Sequence, residues 1–238
     1  MNIAYSQEYK EQREKYLSLI TPESRCTYFD GSHELEGGYS VHYKVYHGEM
    51  KTWNAFPSEN ALLDKDGNPA FVWHNIDHNG NVSHIFRHAN GKQYLLFHID
   101  LYGYSILELE SGKEFHYVPS ESFSKDGNGF DETFLWVVPH YDPESNLIAV
   151  EGCYWAYPYS VIVTDFSDPF AEQPTERWID IHALIDPNFE RYDDIDFVRW
   201  ESGALCVNCH RSSDDRNDQC EEIRFTVEEL REKMRTKK

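Results

Sequence analysis

Three segments of the chain carry the aromatic, acidic and imidazole side chains that recognise or transform a ligand. Each follows a predicted strand rich in apolar residues. Their side chains are Asp100 and Tyr102, then Glu151, Trp155 and Tyr157, and finally His210. Tyr and Trp rings stack on a sugar, a base or a peptide, while carboxylates and a histidine bond its polar edges. We therefore predict that these six residues bind a ligand.

The same segments allow an enzymatic alternative. Asp100 and Glu151 would act as paired carboxylates and His210 as an acid or base, in a hydrolase for a small neutral or sugar-like substrate. The sequence has no Ser in a G-x-S-x-G context and no Walker or G-x-G-x-x-G loop, so we assign no catalytic nucleophile. A third possibility is that Tyr102 and Tyr157 only pack between sheets.

Cys206-Val207-Asn208-Cys209-His210 spells the C-x-x-C-H string of covalent haem attachment, and Cys220 adds another thiol. Haem attachment needs export and a helical haem fold, and a zinc site would need a second C-x-x-C pair. The string instead fits a β-strand, in which alternate side chains point to opposite faces. On that interpretation Cys206 and Asn208 share one face and Cys209 lies on the other. We predict neither a metal nor a cofactor.

Net charge restricts the partners. The chain has 42 acidic and 22 basic residues, which gives a formal charge of −20. Nucleic acids and anionic membranes need clustered cations, so we expect neither as a partner. A protein or a small neutral or basic ligand fits the charge. The first 20 residues lack a signal-peptide pattern and the five cysteines are an odd number, which predicts a cytoplasmic chain with reduced thiols.

Hydrophobic patterning predicts a mainly antiparallel all-β fold in a single domain, residues 1–238. Residues 5–20 form an amphipathic stripe, which predicts a helix in an N-terminal extension, residues 1–34. From residue 35 to 226, short runs of Val, Ile, Tyr, Phe and Trp alternate with Gly-containing turns, as in sheets built from hairpins. Residues 227–238 contain helix formers and end in basic residues, which predicts a terminal helix.

Two segments 55 residues apart have matching sequences: Tyr102-Gly103-Tyr104-Ser105-Ile106-Leu107 and Tyr157-Pro158-Tyr159-Ser160-Val161-Ile162. Around each, the predicted order is strand, polar turn, strand, aromatic loop, the Tyr-Ser strand and a fourth strand. A third copy runs through residues 196–225. These matches predict two or three four-stranded units whose loops lie on one face.

Repeated four-stranded units of this kind resemble the blades of a β-propeller, as in WD and kelch repeats, over about residues 82–226. The resemblance implies a small propeller-like stack of sheets that serves as an interaction or ligand-binding module. A β-sandwich of bent sheets is the alternative fold.

Overall fold

A computed structural model describes residues 1–50, 54–78, 82–123, 132–154, 158–211 and 219–236. The chain divides into two compact units. The first comprises Met1–Arg87 and Lys92–Asp131, and the second comprises His88–Gly91 and Glu132–Lys238. The prediction of a single domain stays a prediction.

The first unit begins with helix α1, Gln7–Leu17, and continues with ten strands. One four-stranded sheet has the order β1-β2-β5-β6, a second has the order β10-β9-β8-β7, and β3 pairs with β4. The strands are β1 Gly31–Glu34, β2 Ser40–Val45, β3 Gly48–Glu49, β4 Asn54–Ala55, β5 Ser58–Leu63, β6 Pro69–Asn75, β7 Ser83–Arg87, β8 Gln93–Phe97, β9 Tyr104–Glu108 and β10 Glu114–Tyr117.

The second unit contains a four-stranded sheet of order β11-β12-β13-β14 and a three-stranded sheet of order β15-β16-β17. Its strands are β11 Leu135–Asp142, β12 Leu147–Cys153, β13 Tyr159–Asp165, β14 Ile179–Asp180, β15 Asp194–Glu201, β16 Ala204–Arg211 and β17 Gln219–Thr226. Helix α2 spans Ile181–Ile185 and helix α3 spans Val227–Thr236.

The two large sheets of the first unit and both sheets of the second are antiparallel meanders. Apart from the β3-β4 hairpin between β2 and β5, strands that follow each other along the chain lie side by side within each sheet. This is the strand order of propeller blades. The predicted fold class, all-β with small propeller-like four-stranded sheets and an N-terminal helix, is confirmed.

Strands β8, β9, β12 and β13 are buried on both faces along most of their length. In the first unit, Val41 and Leu62 of one sheet share a core cluster with Leu95 and Leu107 of the other. Every residue of β9 is buried. In the second unit, Val161 and Val163 of β13 share a cluster with Leu205 of β16. Such strands are rich in Val, Ile and Leu, because β-branched side chains pack well on a pleated surface.

The two Tyr-Ser segments occupy equivalent places in their sheets, because each begins the third strand of a four-stranded meander. In both, the buried serine bonds a fourth-strand side chain. Ser105 Oγ lies 2.8 Å from His116 Nδ1. Ser160 Oγ donates to Asp180 Oδ1 at 2.6 Å. A hydroxyl buried in a core needs a hydrogen-bond partner, so both serine positions require a polar neighbour.

Both terminal helices are present, although the sheets begin earlier than expected. Strand β1 lies within the predicted helical extension and pairs with β2. The fourth strand expected at residues 177–181 is limited to Ile179–Asp180, because the Asp180 carboxylate accepts the Ala183 N–H and starts α2. No helix in the described part of the chain has both the length and the apolar character needed to cross a membrane.

Replacing Ser160 by Ala is expected to lower the free energy of unfolding by about 1–2 kcal/mol, because the Asp180 carboxylate loses a buried donor. Urea unfolding followed by circular dichroism measures this loss. Asp180→Asn keeps an acceptor for the Ser160 hydroxyl and should cost less. Equal stability of Ser160→Ala and the unmodified protein would show that the hydroxyl is not needed.

Candidate functional site

Asp100 lies in the loop between β8 and β9 and is held from two sides. The Tyr9 hydroxyl of α1 donates to its Oδ2 at 2.9 Å, and the backbone N–H of Leu101 donates to its Oδ1 at 2.7 Å. Burial of the carboxyl raises its pKa to about 6, although both donors oppose the rise. Asp77 raises the pKa further through its negative charge and Arg13 lowers it. Asp100 is therefore an acid that changes charge near neutral pH.

Helix α1 supplies the groups that surround this carboxyl. Tyr9 is the buried residue of the helix, and burial raises its own pKa, with a contribution from Asp100. Arg13, one turn later, donates to the backbone carbonyl of His74 at 2.6 Å. Burial, together with the Arg13 charge, lowers the pKa of His116 to about 4, so this ring is neutral at neutral pH.

Tyr102 follows in the same loop but lies in the interior. Its side chain is only 4% exposed. Gly103 next to it has a φ of 86°, and a Cβ there would lie 2.0 Å from the Tyr117 carbonyl oxygen. The loop therefore needs glycine, both for its left-handed backbone and for this close approach. The position of Tyr102 matches the packing alternative.

Glu151 and His140 form a pair in the second unit. His140 Nε2 lies 2.7 Å from Glu151 Oε2, and the other carboxylate oxygen accepts the backbone N–H of Phe197 at 3.0 Å. The His140 ring stacks on the Phe197 ring, with centroids 3.7 Å apart. Strand β15 is an edge strand, so Glu151 satisfies an N–H that lacks a strand partner. The pair joins two sheets and keeps an imidazole beside a carboxylate.

His210 lies in β16, where its Nε2 is 2.8 Å from Asp196 Oδ2. Cys209 belongs to the core cluster with Leu205 and Val207, on the opposite face of the strand from His210. Cys206 is buried and Cys220 is exposed. Within the described residues, no three His, Cys, Asp or Glu side chains are grouped so as to hold a metal ion.

The four predicted site residues that the structure describes thus fall into three groups, with Glu151 and His210 apart from each other. Asp100 and Tyr102 belong to the first unit, and Glu151 and His210 belong to the second. The Glu151 carboxylate accepts a backbone N–H of β15, whereas the His210 imidazole lies beside the Asp196 side chain of the same strand. Trp155 and Tyr157 lie outside the described residues. The pairing of Asp100 with Glu151, and a shared binding site, stay predictions.

A group of rings on the first unit was not predicted from the sequence. We call it the aromatic surface; it consists of Tyr28, Phe29, His33, Tyr43, His47, Phe56 and His78. Tyr28 is 88% exposed and meets Phe29 edge-on, with centroids 5.1 Å apart. Phe29 meets Phe56 in the same way at 5.9 Å. The adjacent pair Tyr28-Phe29 in a polar segment is the signal that the sequence contained.

The segment that carries Tyr28 and Phe29 is fixed on both sides. The Arg25 guanidinium donates to the Asp30 carboxylate, which also accepts the Val45 N–H at 3.0 Å. The hydrogen bond from Arg25 holds the pKa of Asp30 below its usual range, against a smaller opposing effect of burial. Cys26 N–H donates to the Val45 carbonyl at 2.8 Å. The exposed rings are therefore held by β2.

Replacing Asp100 by Asn is expected to change stability in a pH-dependent way. The pKa of Asp100 in the folded protein, about 6, lies above its value in the unfolded chain. Ionisation of this carboxyl therefore lowers the stability of the folded protein as pH rises from about 4 through 6. Asn cannot ionise, and its single carbonyl oxygen accepts only one of the two hydrogen bonds, a loss that shifts stability by a similar amount at every pH. The stability of the variant relative to the unmodified protein should therefore increase by about 2 kcal/mol between pH 4 and pH 7.

Urea unfolding of both proteins at several pH values measures this difference. The pH-dependent contribution of His116 has the opposite sign, but it is present in both proteins and cancels in the difference. Asp66→Asn, at an exposed turn of the same unit, is the matched control and should give a constant difference. A constant difference for Asp100→Asn as well would show that its carboxyl titrates normally.

No protein-family model matches the chain, and no curated protein matches it. Among solved structures, the catalytic domain of a Coprinopsis cinerea GH62 alpha-L-arabinofuranosidase is similar at 9% identity and a TM-score of 0.31, over 82% of this chain. A Podospora anserina alpha-L-arabinofuranosidase, solved with cellotriose, is similar at 10% identity and a TM-score of 0.33, over 82% of this chain. The chain spans 63% and 62% of these two proteins. Similarity this low assigns no activity to the chain.

Proposed function

We propose that the protein is an interaction module that binds a basic protein partner through the aromatic surface of its first unit. The observation that carries this proposal is the set of contacting rings that ends in Tyr28, which is 88% exposed. Soluble domains seldom expose contacting aromatic side chains outside binding sites. Tyr and Trp also contribute much of the binding energy in protein interfaces.

The charge of the chain supports a basic partner. At −20 the protein attracts cations over a long range and repels polyanions. Faces of Tyr and Phe rings bind Arg and Lys side chains through cation–π contacts. Burial lowers the pKa of His33 and His78, so these two imidazoles are uncharged at neutral pH and do not repel such cations.

Tyr28→Ala tests this proposal with little effect on folding, because the ring is mostly exposed. The tagged protein is expressed in its own cells, partners are fixed by cross-linking, and each is quantified by mass spectrometry. We expect a basic protein that the unmodified chain retains and that Tyr28→Ala retains at least about tenfold less, as for a residue at the centre of an interface. Added salt should weaken the binding of the purified pair.

Tyr159→Ala is the matched control, because Tyr159 is 41% exposed but belongs to the second unit. It should retain the same partner as the unmodified chain. If the unmodified chain, Tyr28→Ala and Tyr159→Ala all retain the same partners, the proposal is contradicted. It is also contradicted if the partner that Tyr28→Ala fails to retain is an acidic protein.

A hydrolase is the second candidate, and Asp100 supports it. A carboxyl with a pKa of about 6, on a half-buried residue, is suited to donate and accept a proton near neutral pH. Glycoside hydrolysis would need a second carboxylate, for which Asp77 of the same unit is the candidate, because its charge acts on Asp100. The substrate would be small and neutral, because the net charge disfavours anions.

A panel of p-nitrophenyl glycosides tests this second candidate. We expect release of p-nitrophenol with a pH profile that changes near pH 6, and a loss of at least about a hundredfold in Asp100→Asn. Asp66→Asn should keep full activity. A rate in Asp100→Asn equal to that of the unmodified protein would exclude Asp100 as the acid or base, and no hydrolysis of any glycoside would count against the candidate.

A further inference from the structure

The second unit contains a cavity of about 930 Å³, lined by the segment from Thr164 to Arg177 and by helix α3. This volume lies within the range of pockets that enclose a small organic molecule. None of the four described residues predicted as a site from the sequence, Asp100, Tyr102, Glu151 and His210, lines it. The cavity is therefore a separate feature of this unit, and its own side chains define what it can hold.

The loop wall of the cavity is held by hydrogen bonds of its own. Asp165 Oδ1 accepts the Ser167 N–H at 2.8 Å, and Asp168 Oδ1 accepts the Phe170 N–H at 3.0 Å. Deeper in the wall, the buried Thr164 hydroxyl donates to Gln173 Oε1 at 3.1 Å. These bonds fix the loop before any ligand arrives, which lowers the entropy cost of binding.

Helix α3 forms the opposite wall. Arg231, Met234 and Arg235 line the cavity, and their spacing places them on one side of the helix. The helix begins with reciprocal bonds: Thr226 N–H donates to Glu229 Oε2 at 2.7 Å, and Glu229 N–H donates to Thr226 Oγ1 at 3.2 Å.

Two contacts tie this helix to the rest of the second unit. Leu230 is fully buried in the core cluster. Arg231 donates to the Ser145 carbonyl at 2.7 Å. The side of α3 that faces the cavity is therefore set by the fold.

Three carboxylates and three guanidinium groups of the described residues line the cavity, and most of them already have partners within the protein. Asp165 and Asp168 accept backbone N–H groups, Glu172 has an interaction of its own, and Arg231 donates to the Ser145 carbonyl. Among the described residues, the guanidinium groups of Arg177 and Arg235 have no hydrogen bond or ion pair within the protein. Each guanidinium presents five N–H donors in a planar fork that matches a carboxylate or a phosphate.

The remaining polar groups of the lining suit hydroxyls. Asp165 and Asp168 keep acceptor positions beyond the single backbone bond described for each Oδ1, and Ser167 also lines the cavity. We infer that this cavity binds a small polyhydroxy anion, a sugar-like molecule with one carboxylate or phosphate group. Arg177 and Arg235 bind the anionic group, while Asp165 and Asp168 accept hydrogen bonds from the hydroxyls.

Isothermal titration calorimetry of the full chain with D-glucuronate, glucose 6-phosphate and glucose tests this inference. We expect at least one of the two anions to bind at least about tenfold more tightly than glucose, because charge-assisted hydrogen bonds are about twice as strong as neutral ones. Which anion binds more tightly distinguishes a carboxylate ligand from a phosphate ligand. Binding of neither anion at about 10 mM, or equal binding of glucose, would overturn the inference.

Arg177→Gln and Arg235→Gln should each weaken binding of the anion at least about tenfold. Lys233→Gln is the matched control, because it removes the same charge from α3 but does not line the cavity. Arg235→Lys keeps the charge and loses the fork, so it should show an intermediate loss and protects the test if a Gln variant fails to fold. Unchanged affinity in both Arg→Gln variants, or an equal loss in Lys233→Gln, would contradict the assignment.

Discussion

Burial of central strands such as β9 and β13 on both faces is the constraint on which the structure depends. Strand β9 has no exposed residue, and β13 is buried between its two ends. Such strands satisfy their backbone groups only through neighbouring strands, which requires the antiparallel meanders observed in both units. Two buried hydroxyls in these layers, those of Ser105 and Ser160, have hydrogen-bond partners on the fourth strands.

Where a sheet ends, side-chain oxygens replace the missing strand. In the first unit, Asp30 accepts the N–H of Val45. In the second unit, Glu151 accepts the N–H of Phe197 and Asp194 accepts that of Tyr159. A backbone N–H enclosed without an acceptor costs about 1–3 kcal/mol. Part of the acidic excess of this chain therefore stabilises edges, and an acidic residue after a strand is not by itself a sign of catalysis.

The two proposed binding regions favour ligands of opposite charge, although the chain as a whole is strongly negative. The aromatic surface of the first unit offers ring faces and the neutral imidazoles of His33 and His78 in a protein of charge −20, which suits a cationic partner. The cavity of the second unit offers guanidinium donors at close range. Net charge acts over about 10 Å before salt screens it, whereas hydrogen bonds act at contact. One chain can therefore attract a basic protein and hold a small anion.

The sequence by itself determined the fold class, the two terminal helices and the strand role of the Tyr-Ser segments, because these follow from local periodicity and from burial. It also placed Cys206 and Cys209 in one strand with their side chains on opposite faces, as the alternation of a strand requires. Tertiary structure alone decided that Tyr102 is buried, that Glu151 bonds β15, and that Tyr28 belongs to an exposed group of rings. Each of these depends on contacts between residues far apart in the chain, and a local pattern contains no information about such contacts.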